Sequence, residues 1–152
     1  MRILYKLYST DNNSSKLYDE HGFYKAFSND FKRAQSHVII ESPFVTVRRS
    51  KELTAIAGSP SVKVTIYTRD PTHHEGNMVH EAGRGIEILE RAGFKVVQCA
   101  DMRHRKIAIV DDNVLWEGSL NMLSQNGSRE VMRRTQSRQS CSQMRAFTGV
   151  AQ

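Results

Sequence analysis

Two spacings of apolar residues organise the chain. Phe23, Phe27 and Phe31, with Tyr24 and Ala34 beside them, recur at helical spacing and predict a helix over residues 20–35. Val38-Ile39-Ile40 is short and β-branched and runs into Glu41-Ser42-Pro43, the pattern of a buried strand ending at a loop. A short helix is expected over 51–57, closed by Gly58-Ser59-Pro60. Val62, Val64 and Ile66 then alternate along a strand over 62–68, which stops at Arg69-Asp70-Pro71. Met78, Ala82, Ile86 and Leu89 form the inward stripe of a helix reaching Ala92, with Gly93 as its cap. A strand over 94–99 follows. Arg105 to Val110 and Val114-Leu115-Trp116 read as two strands of a hairpin, with the turn at Asp112-Asn113. Residues 1–18 and the end of the chain carry the weakest pattern.

Strands alternating with helices imply an α/β fold: a mixed, mostly parallel sheet flanked by helices, with an antiparallel element at the hairpin. The length of 152 residues suits one domain, 1–152, with a core over about 20–132 and a basic tail over 133–152. Such sheets carry their functional groups beyond the carboxyl ends of the strands, which places Glu41 and Arg69 near one rim. The Arg48-Arg49 pair belongs either to that rim or to ordinary surface charge.

The candidate chemistry is concentrated in the hairpin. His104 and Lys106 are two apart in an extended run, so an imidazole and an ammonium look into one pocket. Folding of the hairpin brings Ser119 and Asn121, again two apart, toward them. An imidazole, a fixed positive charge, a hydroxyl and an amide suit the oxygens of a phosphodiester, and an unpaired lysine buried beside a histidine would be costly without such a use.

The run His104-Arg105-Lys106, then Asp111, then Gly118-Ser119-Leu120-Asn121 resembles the HxK-x4-D-x6-GSxN signature of the phospholipase D superfamily at every fixed position. Ile39-Ile40-Glu41-Ser42-Pro43-Phe44, Thr68-Arg69 and Trp116-Glu117 extend the likeness to the compact bacterial nuclease domains of that superfamily, including those attached to helicases and restriction enzymes. The resemblance implies a phospholipase D-like fold and a covalent phosphohistidine mechanism without cofactor or metal. It makes His104 the nucleophile, Lys106, Asn121 and Ser119 the ligands of the phosphoryl oxygens, and Asp111 a support for the hairpin. It also makes Glu130, in Ser128-Arg129-Glu130, the acid that orients the histidine. Because the chain has one such motif where the lipases have two, the resemblance implies a symmetric homodimer in which each chain supplies a histidine.

Charge bears on the substrate. Of the net +6, +4 resides in residues 129–152, where Arg129, Arg133, Arg134, Arg138 and Arg145 face the single acid Glu130. A polyanionic partner, nucleic acid and more specifically DNA, is therefore expected, with Arg48, Arg49, Arg69, Arg133 and Arg134 as candidate binding residues. No stretch is apolar enough to span a bilayer, the start lacks a signal-peptide core, and Cys99 and Cys141 sit in dissimilar settings, so a cytoplasmic protein with reduced thiols is expected. His73, His74 and His80 crowd one stretch without the second histidine of an HExxH helix, and no metal site is expected. Hydrolysis or transfer at a phospholipid head group, and a nucleic-acid-binding module without useful catalysis alone, are the alternative functions.

Overall fold

The computed structural model describes residues 14–151. Within them the chain forms β1 (Ser14–Asp19), α1 (Glu20–Arg33), β2 (His37–Glu41), α2 (Val47–Ile56), β3 (Lys63–Arg69), α3 (Met78–Arg91), β4 (Lys95–Cys99), β5 (Ile107–Val110), β6 (Val114–Gly118), β7 (Val131–Gln136) and α4 (Arg138–Thr148). The strands join in one sheet of order β1-β7-β6-β5-β2-β3-β4. The fold class is the expected mixed α/β. The balance of pairing differs from the expectation: β2–β3 and β3–β4 are parallel, whereas β1–β7, β7–β6, β6–β5 and β5–β2 are antiparallel. The parallel half is joined through α2 and α3. In the antiparallel half, the β5–β6 hairpin carries a strong sequence pattern, whereas β1 and β7 come from parts of the chain with a weak one.

The Phe23, Phe27, Phe31 stripe of α1 lies on one face of the sheet, against Val38, Ile40, Val64, Ile66, Ala108, Trp116 and Met132. Asp19 begins that helix, its carboxylate accepting from the amides of His21 and Gly22. Trp116 is fully buried, with the rings of Tyr18 and Phe23 each at 5.1 Å and its indole N–H donating to Asp30 at 2.9 Å. The opposite face packs Ile39, Ile107, Ile109 and Leu115 beneath Cys141 and Val150. Strands covered on both faces read as continuous apolar runs, which is why β2 and β5 were legible from sequence.

The basic tail is structured. Its first residues complete β7 and the remainder forms α4, begun by Ser137 and ended by Gly149 in the left-handed region at φ 72°. Arg134 is committed to Asp30 through contacts of 2.7 and 2.9 Å, and Arg145 to Asp112 at 2.7 Å. The second helix starts earlier than expected: Thr46 caps it by accepting from the Arg49 amide, so Arg48 and Arg49 stand on its first turn.

Candidate active site

The hairpin carries the site, with its strands shifted from the expected positions. The last ladder pairs of β5 are Ile107 with Glu41 on one side and Glu117 on the other. His104, Arg105 and Lys106 therefore precede the strand. Alternation persists nonetheless, since Arg103 and Arg105 both reach Glu41 while His104 and Lys106 meet each other. Lys106 is 9% exposed, and its Nζ lies 2.5 Å from His104 Nδ1 and 2.6 Å from the His104 carbonyl oxygen. The His104 ring stands at the surface, edge-on to Phe44 with centroids 6.3 Å apart.

Asp111 lies in the hairpin turn. Val110 pairs with Val114, so the turn is the three residues 111–113, one longer than expected, and Asp111 and Asp112 both take left-handed conformations (φ 53° and 51°). This conformation is most accessible to Gly, Asn and Asp. The Asp111 carboxylate accepts from the backbone amides of Gln35, Ser36 and His37 at 2.9, 2.8 and 3.1 Å, fastening the approach to β2 against the hairpin. Burial would raise its pKa, but these three amides hold it below the ordinary carboxylate value.

After β6, Gly118 allows a close crossing: a β-carbon there would stand 2.1 Å from the Val131 carbonyl oxygen. Ser119 joins the same crossing, its amide donating to the Val131 oxygen at 2.9 Å and its hydroxyl accepting from the Val131 amide at 3.0 Å. The hydroxyl expected at a phosphoryl oxygen is thus engaged with the backbone in this arrangement. Asn121 is half-buried, and its side-chain oxygen is enclosed without a hydrogen-bond partner.

Glu130 lies just before β7. Its carboxylate accepts from Ser128 Oγ at 2.8 Å, and its charge bears on Lys106, which itself meets Nδ1 of His104. Desolvation lowers the Lys106 pKa, the Glu130 charge opposes that fall, and Arg69 adds to it. The His104 pKa is also lowered, first by partial desolvation and then by the charges of Lys106 and Arg69, which favours a neutral imidazole.

The other candidates separate by position. Arg69, 9% exposed at the end of β3, donates to the carbonyl oxygen of Arg103 at 2.8 Å and lies over the Phe44 ring, next to His104 and Lys106. Arg49 binds the Gln125 carbonyl and Glu52 and stacks over Tyr24, while Arg48 pairs with Glu52. Arg133 reaches Ser15 from β7. Three features escaped the sequence reading: the Phe44 wall, the Arg103 and Arg105 contacts with Glu41, and the Ser128 bond to Glu130. The alternating Arg103-His104-Arg105-Lys106 was a usable signal for the second, because two arginines facing inward require a buried acid. No cluster of three or more His, Cys, Asp or Glu among the described residues is disposed to hold a metal ion, and His74 lies instead against Phe44 with ring centroids 5.1 Å apart.

A mixed α/β domain that sets a histidine and a lysine at the mouth of an antiparallel hairpin, with Asp111 at its turn and a GSxN crossing beside the lysine, defines a phosphodiester-processing enzyme of the phospholipase D type. Residues 27–148 match the family described as "Cardiolipin synthase, PLD-like domain", and the chain belongs to that family. Among solved structures it is similar to NucT from Helicobacter pylori, at 19% identity and TM-score 0.68 over 89% of this chain and 92% of that one. It is likewise similar to Nuc, a phospholipase D family member from Salmonella typhimurium, at 15% identity and TM-score 0.73 over 89% and 91%. Phosphatidylserine synthase from Haemophilus influenzae matches at 15% identity and TM-score 0.63, over 88% of this chain and 37% of that one. At these identities the likeness is one of fold. No curated protein matches the sequence.

Proposed function

We propose that the protein is a metal-independent phosphodiesterase that cleaves nucleic acid, DNA in particular, through a covalent phosphohistidine. The observation that carries this reading is the surface imidazole of His104, biased toward its neutral form and set against the ammonium of Lys106. A neutral imidazole can attack phosphorus, forming an N–P bond as the P–O bond to the leaving group breaks; water then opens the adduct. With Lys106 donating to Nδ1, the neutral ring carries its proton on Nε2. Attack by Nε2 requires the other tautomer, so Lys106 turns from the ring to the nonbridging oxygens and Nδ1–H finds an acceptor in Glu130. The amide NH2 of Asn121, whose oxygen is enclosed, serves the same oxygens. Protonation of the leaving oxygen is assigned to His104 of a second copy in a symmetric dimer.

Nucleic acid is favoured by the net charge of +6 and by an open groove of about 500 Å³ lined by Arg48, Arg49 and Arg129 with Glu20, beside the loop that leads to Glu130. Coverage of nine-tenths of Nuc and NucT, against 37% of the phosphatidylserine synthase, points the same way. The matched family's lipid-synthase description supports the second reading, transfer at a phospholipid head group. Incubation with plasmid and with labelled phospholipid, each with excess EDTA, separates the two. We expect plasmid cleavage to persist in chelator, acid quenching to trap a phosphate adduct on His104, and His104→Ala to abolish both while retaining nucleic-acid affinity. Activity lost in EDTA and restored by a divalent ion, or an adduct mapped to Ser119, would refute the mechanism.

A further inference from the structure

The segment bearing His104 and Lys106 lies outside the β-ladder, yet it is fastened from two directions. Glu41, fully buried at the end of β2, accepts from Arg105 Nε at 3.1 Å and lies 3.5 Å from Arg103 Nη1. Arg103 also grips Asp101 through two contacts of 2.7 Å. From the other direction, Arg69 donates to the Arg103 carbonyl at 2.8 Å and lies 3.4 Å from that of Met102. Neighbouring side chains of an extended segment leave opposite faces, so anchoring Arg103 and Arg105 on Glu41 turns His104 and Lys106 the other way.

Stability alone is a poor account of this arrangement. Desolvation offsets much of the attraction in a buried ion pair, and an apolar contact would join β2 to β5 at lower cost. The second carboxylate oxygen of Glu41 is also enclosed without a hydrogen-bond partner. We propose that Glu41 is a positioning residue: acting through Arg103 and Arg105, it sets the direction of His104 and Lys106 without touching substrate. The proposal rests on His104 and Lys106 being the reacting pair.

Glu41→Gln keeps the shape and one acceptor oxygen while removing the charge. We expect kcat to fall about 10–100-fold, the usual consequence of misplacing a reacting group, with KM changed less than about twofold. In side-chain nitrogen NMR the His104 signals should shift as the Lys106 contact loosens, while those of His37, at the far end of β2, stay in place. Should the lone substitution fail to fold, Glu41→Gln with Arg105→Gln replaces the ion pair by an amide pair and should show the same shift and loss. Arg105→Gln alone should cost no more than that double variant, since it leaves the Arg103 contact with Glu41 in place. Unchanged kcat and unmoved His104 signals in a folded variant overturn the proposal, as does a raised KM with kcat retained, which would make Glu41 a substrate contact. If the wild type cleaves no phosphodiester, the functional reading fails, while the NMR comparison still decides the role of Glu41.

Discussion

Lys106 carries the sharpest consequence at the scale of single residues. Its charge is disfavoured by desolvation and by Arg69, and sustained by Glu130. Glu130→Gln removes the opposing charge, so Lys106 should lose its proton at lower pH, a shift followed by side-chain nitrogen NMR; the alkaline limb of the pH–rate profile is set earlier, by the charged His104 assigned to protonate the leaving oxygen. A Lys106 titration unmoved by the substitution would make Glu130 solely the orienter of His104. The candidate reacting residues were readable from the chain because fixed spacing along an extended hairpin determines which side chains share a face. The bond between Ser128 and Glu130 was not, because it depends on how a loop settles after Gly118 crosses Val131.

The hairpin turn shows how one residue can serve the elements around it. Asp111 has the left-handed backbone the turn needs and a carboxylate that collects three amides from the α1–β2 connection. Asparagine tolerates the same backbone, so Asp111→Asn isolates the hydrogen bonds, and we expect a loss of about 1–3 kcal/mol in chemical denaturation. The sign of its pH dependence follows from a folded pKa below the unfolded value of 3.8. The carboxylate's stabilisation is full above that value and is lost as pH falls through the folded pKa. The difference between wild type and variant should therefore be constant above about pH 5 and shrink in acid. A difference independent of pH down to acid unfolding would show that the charge contributes nothing. The α1 stripe, β2, β3 and α3 were legible because each carries a clean apolar period. The true start of α2 was missed because its cap, Thr46, lies in a stretch without one.

For the whole molecule, the open question of mechanism is the proton for the leaving group. The proposed symmetric pairing gives it a specific test: mix wild-type chains with excess His104→Ala chains under conditions that allow exchange. A composite site predicts activity following the square of the wild-type fraction, because a mixed pair keeps one of its two histidines. Activity merely proportional to that fraction would show that one chain suffices. Among the described residues no helix is long and apolar enough to cross a membrane. The arginines expected to form a free basic tail are partly spent inside the fold: Arg134 stabilises Asp30 beneath Trp116, and Arg145 holds Asp112. Arg133 stays exposed, its side chain bonding only the Ser15 hydroxyl among the described residues, while Arg48 and Arg129 pair with Glu52 and Glu20 at the surface.

What the amino-acid sequence determined by itself was periodic or spaced: the α/β alternation, the apolar faces, and the His104, Lys106, Asp111, Ser119, Asn121 pattern, each encoded by residues close together in the chain. The tertiary structure alone decided what depends on distant pairing. Register set β5 to begin at Ile107; β1 and β7, 112 residues apart from the end of one to the start of the other, found each other across the chain. Buried partners then settled the arginines and acids, because a charge removed from water must be met by whichever opposite group the fold brings within reach, and local sequence does not encode that group.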